Sequence, residues 1–179
     1  DKNIGLGHIM RCLKLYRFIE SNSKFNPILV FDNNELPDKL LKNTNHLFLY
    51  KNKTKFSQSS DAHRFKKKCN PKLNDIIIID DYRINYLWEK IFFGKCKNVV
   101  VIDDLFNKKH QCNIYINYKY KINKNEYNTF KKNNKYLKNK NILLGHRYLI
   151  SDHNKTPPNN KKFKNTSFNI LLYNGGSGD

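Results

Sequence analysis

Short apolar runs alternate with amphipathic stretches along most of the chain. Two of the runs, 76–79 and 99–102, consist only of Ile or Val, and each is followed by two Asp residues. Continuous runs of this length are typical of strands in a parallel sheet that is buried on both faces. The pattern predicts an α/β fold, a Rossmann-like parallel sheet with helices on both faces. The predicted strands are residues 27–31, 46–50, 75–82, 98–102, 113–117 and 168–173.

Helical spacing is clearest near the start of the chain. There the apolar residues that recur at this spacing are Ile9, Cys12, Leu13, Tyr16 and Ile19. They predict a helix that begins after a glycine loop and ends near residues 21–23.

Two further helices are predicted, at 35–42 and 84–93. In the second helix the residues expected to face the sheet are Leu87, Trp88, Ile91 and Phe92, and Gly94 is expected close to its end.

The segments between these elements are polar. Residues 51–72 are poorly periodic, 118–141 are rich in Lys, Asn and Tyr and are expected to be irregular and solvated, and 151–166 are expected to form a linker or long loop. Residues 142–145 and 147–150 are expected to be ordered again.

A net charge of +19 raises the possibility of nucleic-acid binding. The basic residues are 29 Lys and only 5 Arg, beside 28 Asn, which indicates a bias toward Lys and Asn across the whole chain. Recognition of phosphates and base edges favours the forked guanidinium of Arg. We therefore expect no nucleic-acid partner, and expect the basic surface to favour phosphorylated metabolites.

Hydrophobic residues make up 39% of the chain, and no apolar run approaches 18 residues. A membrane span is therefore excluded by the sequence. No signal peptide is visible, which favours a cytoplasmic location, although the chain starts at Asp1 without Met.

The four cysteines have spacings that match no zinc site and no redox pair. They are Cys12, Cys69, Cys96 and Cys112. We expect reduced, structural thiols. His110 and Cys112 could supply two metal ligands, but the sequence offers no second pair, so a structural role is favoured.

Gly5 and Gly7 open the first predicted helix, where backbone N–H groups and the helix dipole favour a phosphate. This is not a dinucleotide fingerprint, because Met10 stands where a third Gly is expected. A second glycine-rich loop, 175–178, lacks the Lys of a Walker loop. Each loop alone is weak evidence for a phosphate site, and a plain turn is the favoured interpretation.

His8 lies where the glycine loop meets the helix. A helix N-terminus disfavours imidazolium, so a His at this position tends to stay neutral and can accept a proton. The residue is therefore a candidate general base. The alternative is that its ring only caps the helix.

Four aspartates follow the two Ile and Val strands. Asp80, Asp81, Asp103 and Asp104 could bind Mg²⁺ through carboxylate oxygens, or they could cap the helices that follow the strands. Capping is the favoured interpretation.

Six segments occur in an order and spacing that resemble a known enzyme family. They are residues 5–15 (GLGHIMRCLKL), 79–82 (IDDY), 101–104 (VIDD), 110–117 (HQCNIYIN), 144–150 (LGHRYLI) and 175–177 (GGS). Together they resemble the UDP-2,4-diacetamido-2,4,6-trideoxy-β-L-altropyranose hydrolases of pseudaminic acid biosynthesis. Spore-coat polysaccharide synthesis proteins are similar. The resemblance covers nearly the whole chain.

The resemblance implies a glycosyltransferase-B-like architecture, in which two Rossmann-like domains face each other across a cleft. Residues 1–166 would form the N-terminal domain, with its first strand truncated, and 167–179 would lead into a second, UDP-binding domain. Because the family's uridine pocket lies mainly in that second domain, we expect the 179-residue chain alone to turn over little substrate.

The resemblance also implies the roles of individual residues. His8 matches the catalytic base and Tyr82 an aromatic hydroxyl in the same pocket. The matched substrate and phosphate contacts are Gly5, Gly7, Arg11, Asn117, Gly175, Gly176 and Ser177. A UDP-sugar is the implied substrate, water activated by His8 would attack its anomeric carbon, and no cofactor or metal is implied.

Some positions depart from the family's pattern. Gly178 is inserted before Asp179, and Asp81 stands where His often precedes the Tyr. Two other functions stay open. One is glycosyl transfer from a nucleotide sugar on the same fold, and the other is a non-catalytic basic binding module.

Overall fold

The structure is a computed structural model that describes residues 6–22, 24–32, 36–51 and 55–150. The chain divides into two compact units, one of residues 1–25 with 150–179 and one of residues 26–149. The strand predicted at 168–173 and the linker predicted at 151–166 lie outside the described residues.

The helices are α1 (Leu6–Asn22), α2 (Asp38–Leu41), α3 (Gln58–Cys69), α4 (Tyr86–Glu89) and α5 (Lys124–Asn133). The strands are β1 (Leu29–Phe31), β2 (His46–Phe48), β3 (Ile76–Ile79), β4 (Asn98–Ile102), β5 (Ile114–Asn117) and β6 (Ile142–Leu144). Two 3₁₀ turns span Asn139–Asn141 and His146–Tyr148.

Helix α1 belongs to the first unit. Leu13 and Tyr16 are its buried residues, as their helical spacing predicted. Near its end the Asn22 side chain donates to the Phe18 carbonyl at 3.0 Å, which satisfies one of the carbonyls left open at a helix C-terminus. The helix already begins at Leu6, so Gly7 is helical, and the expectation that it belongs to a loop is wrong.

All strand pairs in the second unit are parallel. Strands β1 and β2 form a two-stranded sheet, and the other four form a sheet in the order β3-β4-β5-β6. In the larger sheet Ile79 pairs with Val101, Ile102 with Ile116, and Asn117 with Leu144. This arrangement is an α/β, Rossmann-like fold, as the apolar pattern predicted.

One face of the larger sheet forms the core of the second unit. Its side chains alternate along each strand and pack against residues of α3, α4 and α5. The buried members of this core include Ile77, Ile79, Val99, Val101, Tyr115, Ile142, Ala62, Trp88, Phe92 and Phe130. The rings of Trp88 and Phe92, both in the α4 region, contact the Phe65 ring of α3 at 5.2 and 5.3 Å between centroids, which joins the two helical elements over the sheet.

Strand β3 is less buried than its apolar run predicts. Ile78, on the opposite face from Ile77 and Ile79, is 40% exposed. The expectation of burial on both faces is wrong for this strand, because β3 lies at the edge of the sheet.

Helices α3 and α5 occupy segments that the sequence predicted to be poorly periodic or irregular. Each presents few apolar residues to the core, namely Ala62 and Phe65 in α3 and Tyr127 and Phe130 in α5. Asn123 caps α5, because its side-chain oxygen accepts from the Asn125 and Glu126 amides. The expectation that residues 118–141 are irregular is therefore wrong, and residues 51–72 contain a helix that their poorly periodic pattern did not predict.

The helix predicted at 84–93 is shorter than expected. Its α-helical part is α4, capped by the Asn85 side chain, and turns continue to Lys95. Gly94 has a positive φ of 76° near the end of these turns, a conformation that favours glycine. Leu87 is exposed, contrary to the prediction that it faces the sheet.

Among the described residues, no helix combines the length and the apolar character that crossing a bilayer requires.

Candidate active site

The candidate site lies at the carboxyl edge of the four-stranded sheet. Because β3, β4 and β5 are parallel, the residues that follow each of them meet at one edge. These residues are Asp80, Asp81 and Tyr82 after β3, Asp103 and Asp104 after β4, and Tyr118 after β5. Ligands of open α/β sheets bind at this edge.

Tyr82 and Asp104 are joined across the edge. The Tyr82 hydroxyl donates to Asp104 Oδ1 at 2.5 Å, and both side chains are partly buried. Burial raises the pKa of Tyr82, and the neighbouring Asp104 carboxylate and Tyr118 act in the same direction. The phenol therefore stays protonated and acts as a hydrogen-bond donor at neutral pH.

Asp81 is engaged by Arg83. One carboxylate oxygen accepts from the Arg83 backbone amide at 2.8 Å, and the Arg83 guanidinium contacts both oxygens. The same guanidinium forms a 2.8 Å ion pair with Asp32, the residue that follows β1. These bonds hold the pKa of Arg83 above its ordinary value, despite the opposing effect of burial.

Gln58, the first residue of α3, fixes the backbone of the same segment. Its Nε2 donates to the Arg83 carbonyl at 2.6 Å, and its Oε1 accepts from the Asn85 amide at 3.3 Å. Helix α3 thus helps to position the loop that carries Tyr82.

Behind the edge lies a buried ion triad formed by Glu89, His110 and Asp103. His110 Nδ1 is 2.7 Å from Glu89 Oε1, and Nε2 is 3.1 Å from Asp103 Oδ2. Burial lowers the pKa of His110, but the hydrogen bonds and charges of the two carboxylates outweigh it and raise the pKa to about 9. The ring is therefore an imidazolium at neutral pH.

The strand-end aspartates serve as local hydrogen-bond acceptors. Asp103 Oδ1 accepts from the Leu105 amide at 2.9 Å, just as Asp81 accepts from Arg83 two residues on. These contacts stabilise turns after the strands, whereas Asn85 caps the helix that follows β3. In the described part of the chain, no group of three or more His, Cys, Asp or Glu residues could hold a metal ion.

Asn117, matched to a substrate contact, is completely buried at the end of β5. Its side-chain oxygen accepts from the Lys119 amide at 3.0 Å, while its Nδ2 and the nearby Tyr115 hydroxyl have no hydrogen-bond partner within the described ranges. The side chain therefore faces the interior and is not presented at the surface of the edge.

His8 and Arg11 belong to the first unit, in the first two turns of α1. The Arg11 guanidinium lies 2.8 Å from His8 Nδ1. Because Arg has only donors, Nδ1 must be the acceptor, so the neutral ring carries its proton on Nε2. An added Cβ at Gly7 would meet no atom of the described residues within 4 Å. The backbone there is open on that side.

The other predicted phosphate contacts lie outside the described residues. They are Gly5, Gly175, Gly176 and Ser177. The prediction that they approach a pyrophosphate stays a prediction.

Among the described residues none of the four cysteines forms a disulfide, and Cys96 and Cys112 are buried. Burial raises the pKa of the Cys112 thiol, and the charge of Glu89 adds to the effect. The structural role predicted for His110 and Cys112 agrees with their positions, since His110 binds carboxylates within the fold.

Sequence reasoning missed two relationships at this site. It named Tyr82 but not its acceptor Asp104, and it left His110 without the carboxylates of Glu89 and Asp103. The strand-end position of both aspartates was the available signal. Their partners are separated from them by seven to 22 residues of sequence, so spacing alone could not reveal them.

No protein-family model and no curated protein sequence matches this chain.

Proposed function

We propose that the chain is the N-terminal half of a glycosyltransferase-B-like nucleotide-sugar hydrolase of bacterial surface-sugar synthesis. Its reaction would release UDP from a UDP-linked deoxy-diacetamido sugar, as in pseudaminic acid biosynthesis. The observation that carries the proposal is the Tyr82–Asp104 pair, a protonated phenol held by a carboxylate at the carboxyl edge of a parallel sheet. The order of the six motifs supports the choice of substrate class.

In this proposal Tyr82 binds the sugar. Its hydroxyl hydrogen is committed to Asp104, so toward a sugar hydroxyl or acetamido N–H the phenol would act as an acceptor, at an oxygen that Tyr118 also contacts. Because the proton of the Tyr82 hydroxyl is held by Asp104, the phenol oxygen would accept a hydrogen bond from a fixed direction. A fixed direction favours one placement of the pyranose.

His8 is the proposed base. It would take a proton from water as the water attacks the anomeric carbon, and UDP would leave with inversion. UDP is a stable anion, so its departure needs no proton from a general acid.

Arg11 sets a condition on this role. Its guanidinium occupies the Nδ1 lone pair of His8, and Nε2 then carries the ring proton. The diphosphate of the substrate is an anion that competes for the guanidinium, and when Arg11 turns to it, Nδ1 no longer faces a donor from Arg11 and can accept a proton. Arg11 would thereby link substrate binding to activation of the base.

The test is UDP release by the full-length gene product from UDP-2,4-diacetamido-2,4,6-trideoxy-β-L-altropyranose. The variant His8→Ala should lower turnover by roughly 10²- to 10⁴-fold, the usual contribution of a general base, while UDP still binds. The matched control is His63→Ala, because His63 is an exposed histidine on α3 and should leave turnover unchanged.

Unchanged turnover in His8→Ala would overturn the role of His8. Release of UDP only after a sugar or lipid acceptor is added would replace the hydrolase by a transferase. Absence of turnover together with nucleic-acid binding that collapses with salt would replace the enzyme by a basic binding module.

A further inference from the structure

The buried triad and the edge of the sheet meet at two consecutive residues. Asp103 turns inward and binds His110, whereas the next residue, Asp104, accepts the Tyr82 hydroxyl. The backbone of Asp104 is therefore held directly by whatever holds Asp103. This adjacency connects a fully buried ion cluster to a side chain at the candidate site.

With Glu89 and Asp103 both ionised, only one protonation state of His110 satisfies all members of the triad. Each ring nitrogen of His110 lies within hydrogen-bond distance of a carboxylate oxygen. A neutral ring could donate to only one of them and would leave the other carboxylate oxygen without its donor in a dry interior. The cationic ring donates to both, and charge-assisted bonds of this kind are short and strongly directional.

The triad also fixes the backbone around it. The Asp103 amide donates to the Ile116 carbonyl at 3.0 Å, and its side chain accepts from Leu105. Asp103 and His110 are the two ends of a connection without helix or strand, so their ion pair closes a short loop that contains Asp104.

Hydrogen bonds also hold the end of this loop that carries His110. Glu89 Oε2 accepts from the Gln111 amide at 2.5 Å, and Asn134 Oδ1 accepts from the His110 amide at 2.7 Å. Two helical elements, α4 and the end of α5, thus hold one end of the loop, while β4 and β5 hold the other.

We propose that the Glu89–His110–Asp103 triad is a positioning device that holds Asp104, and through it the Tyr82 hydroxyl, at the carboxyl edge of the sheet. His110 is a positioning residue in this scheme and contacts no substrate. The functional meaning of the device rests on the proposed function, but the coupling between His110 and Tyr82 is a property of the fold and can be measured separately.

The experiment uses the protein with tyrosine labelled by ¹³C at Cζ, whose chemical shift reports the hydrogen bond and ionisation of each phenol. Tyr82→Phe identifies the Tyr82 resonance by its disappearance. Asp104→Ala gives the shift of that resonance when its acceptor is lost. In His110→Gln the resonance should move in the same direction as in Asp104→Ala, or broaden as the hydroxyl samples several positions.

Two further variants separate positioning from general loss of stability. Glu89→Gln keeps the shape of the triad but removes one charge, and should produce a smaller movement of the same resonance. Asp61→Ala removes a different buried carboxylate, at the contact of α3 with Trp88, and should leave the Tyr82 resonance in place. If His110→Gln does not fold, Glu89→Gln and Asp61→Ala still decide the comparison.

An unmoved Tyr82 resonance in His110→Gln or Glu89→Gln would overturn the proposal, and so would an equal movement in Asp61→Ala. UDP release by the same proteins separates this inference from the proposed function. A moved resonance without turnover in any protein supports the device and rejects the hydrolase. Normal turnover with an unmoved resonance rejects the device and supports the hydrolase. If the positioning role and the hydrolase function both hold, His110→Gln should lose turnover by roughly tenfold or more.

Discussion

Arg83 forms an ion pair with Asp32 at 2.8 Å, across 51 residues of sequence, and so links the end of β1 to the end of β3. The same guanidinium holds Asp81 through parallel bonds. Both carboxylates and the guanidinium are only about a quarter exposed, so water screens them less than a surface pair. The two sheets are therefore tied together by one forked side chain.

Replacing Arg83 should lower the free energy of unfolding, and the loss should depend on the planar geometry of the guanidinium as well as on its charge. Arg83→Lys keeps the charge but cannot bind two carboxylates in parallel, and should cost about 1 kcal/mol. Arg83→Gln should cost more, because it leaves Asp32 and Asp81 without a cation. Urea denaturation of the three proteins measures the free energies of unfolding.

The control for Arg83 is Arg147→Gln. Arg147 is exposed and stacks on the Tyr148 ring at 4.8 Å, so its removal should change stability little. If Arg83→Lys were as stable as the wild type, the forked geometry would be irrelevant to the link.

The pair of Tyr82 and Asp104 should show direct energetic coupling. A double-mutant cycle with Tyr82→Phe and Asp104→Ala isolates the interaction of the two side chains from their other contacts. We expect about 1 kcal/mol of coupling, since the bond has a charged acceptor but is only partly buried. Additive effects of the two single changes on the free energy of unfolding would mean that the bond contributes nothing.

The triad makes stability depend on pH in the alkaline range. The pKa of His110 is about 9 in the folded protein, compared with 6.5 for an ordinary His. The bound proton therefore stabilises the fold fully below pH 6.5, and this contribution is lost as the pH rises through 9. Its full size is on the order of 3 kcal/mol. Unfolding free energies at a series of pH values between 6 and about 10 measure the decline.

His110→Gln provides the comparison for this decline. It should be less stable than the wild type at pH 6 but should lack most of the fall between 6.5 and 9. The raised pKa of the Cys112 thiol also makes the free energy of unfolding fall as the pH rises. This second fall begins only near pH 9, where the thiol of the unfolded chain ionises. An equally steep fall in both proteins would contradict the assignment to His110.

The strands could be predicted because their signal is local. The runs 76–79 and 99–102 contain only Ile and Val, and both are strands in the structure. Helices α3 and α5 could not be predicted in this way, because each is anchored by only two apolar residues among many Lys and Asn residues. These residues are spaced three apart, Ala62 with Phe65 in α3 and Tyr127 with Phe130 in α5. A stripe this narrow gives little periodic signal, and tertiary packing decides the helix.

The location of the site could be predicted, but the hydrogen-bond partners of its side chains could not. Strand ends of a parallel sheet converge whatever residues they carry, so the position of Tyr82 at the edge followed from the apolar pattern. Which carboxylate meets which donor depends on side-chain direction after each strand, and adjacent Asp103 and Asp104 point to different partners.

Asp61 offers a case in which removing a charge should not destabilise the protein. Its carboxylate is buried and accepts from Trp88 Nε1 at 2.8 Å. Burial raises the pKa of Asp61, although hydrogen bonds from Trp88 and Tyr50 oppose the rise. At pH 7 the fold therefore carries the cost of a buried charge. Asp61→Asn keeps an acceptor for the indole and should equal or exceed the wild type in stability.

The pH dependence of this comparison follows from the raised pKa of Asp61. Below about 3.8 the carboxyl is protonated in both folded and unfolded chains, so the advantage of Asp61→Asn should disappear as the pH falls toward that value. Asp61→Ala should be less stable than Asp61→Asn by about 1–2 kcal/mol at every pH, since it leaves the buried indole N–H without an acceptor. A large loss of stability in Asp61→Asn at pH 7 would show that the charge itself holds α3 against α4.

The ring of His8 should carry its proton on Nε2 when neutral. The 2.8 Å contact with the Arg11 guanidinium requires a lone pair on Nδ1, and this is the state from which any proton transfer by His8 must start. Nitrogen chemical shifts of ¹⁵N-labelled histidine, assigned with His8→Ala, distinguish the two tautomers. Arg11→Met should allow both tautomers, and addition of UDP to the wild type should have a similar effect if the diphosphate draws the guanidinium away. A ring protonated on Nδ1 in the free protein would exclude the contact with Arg11 and, with it, the link between substrate binding and the base.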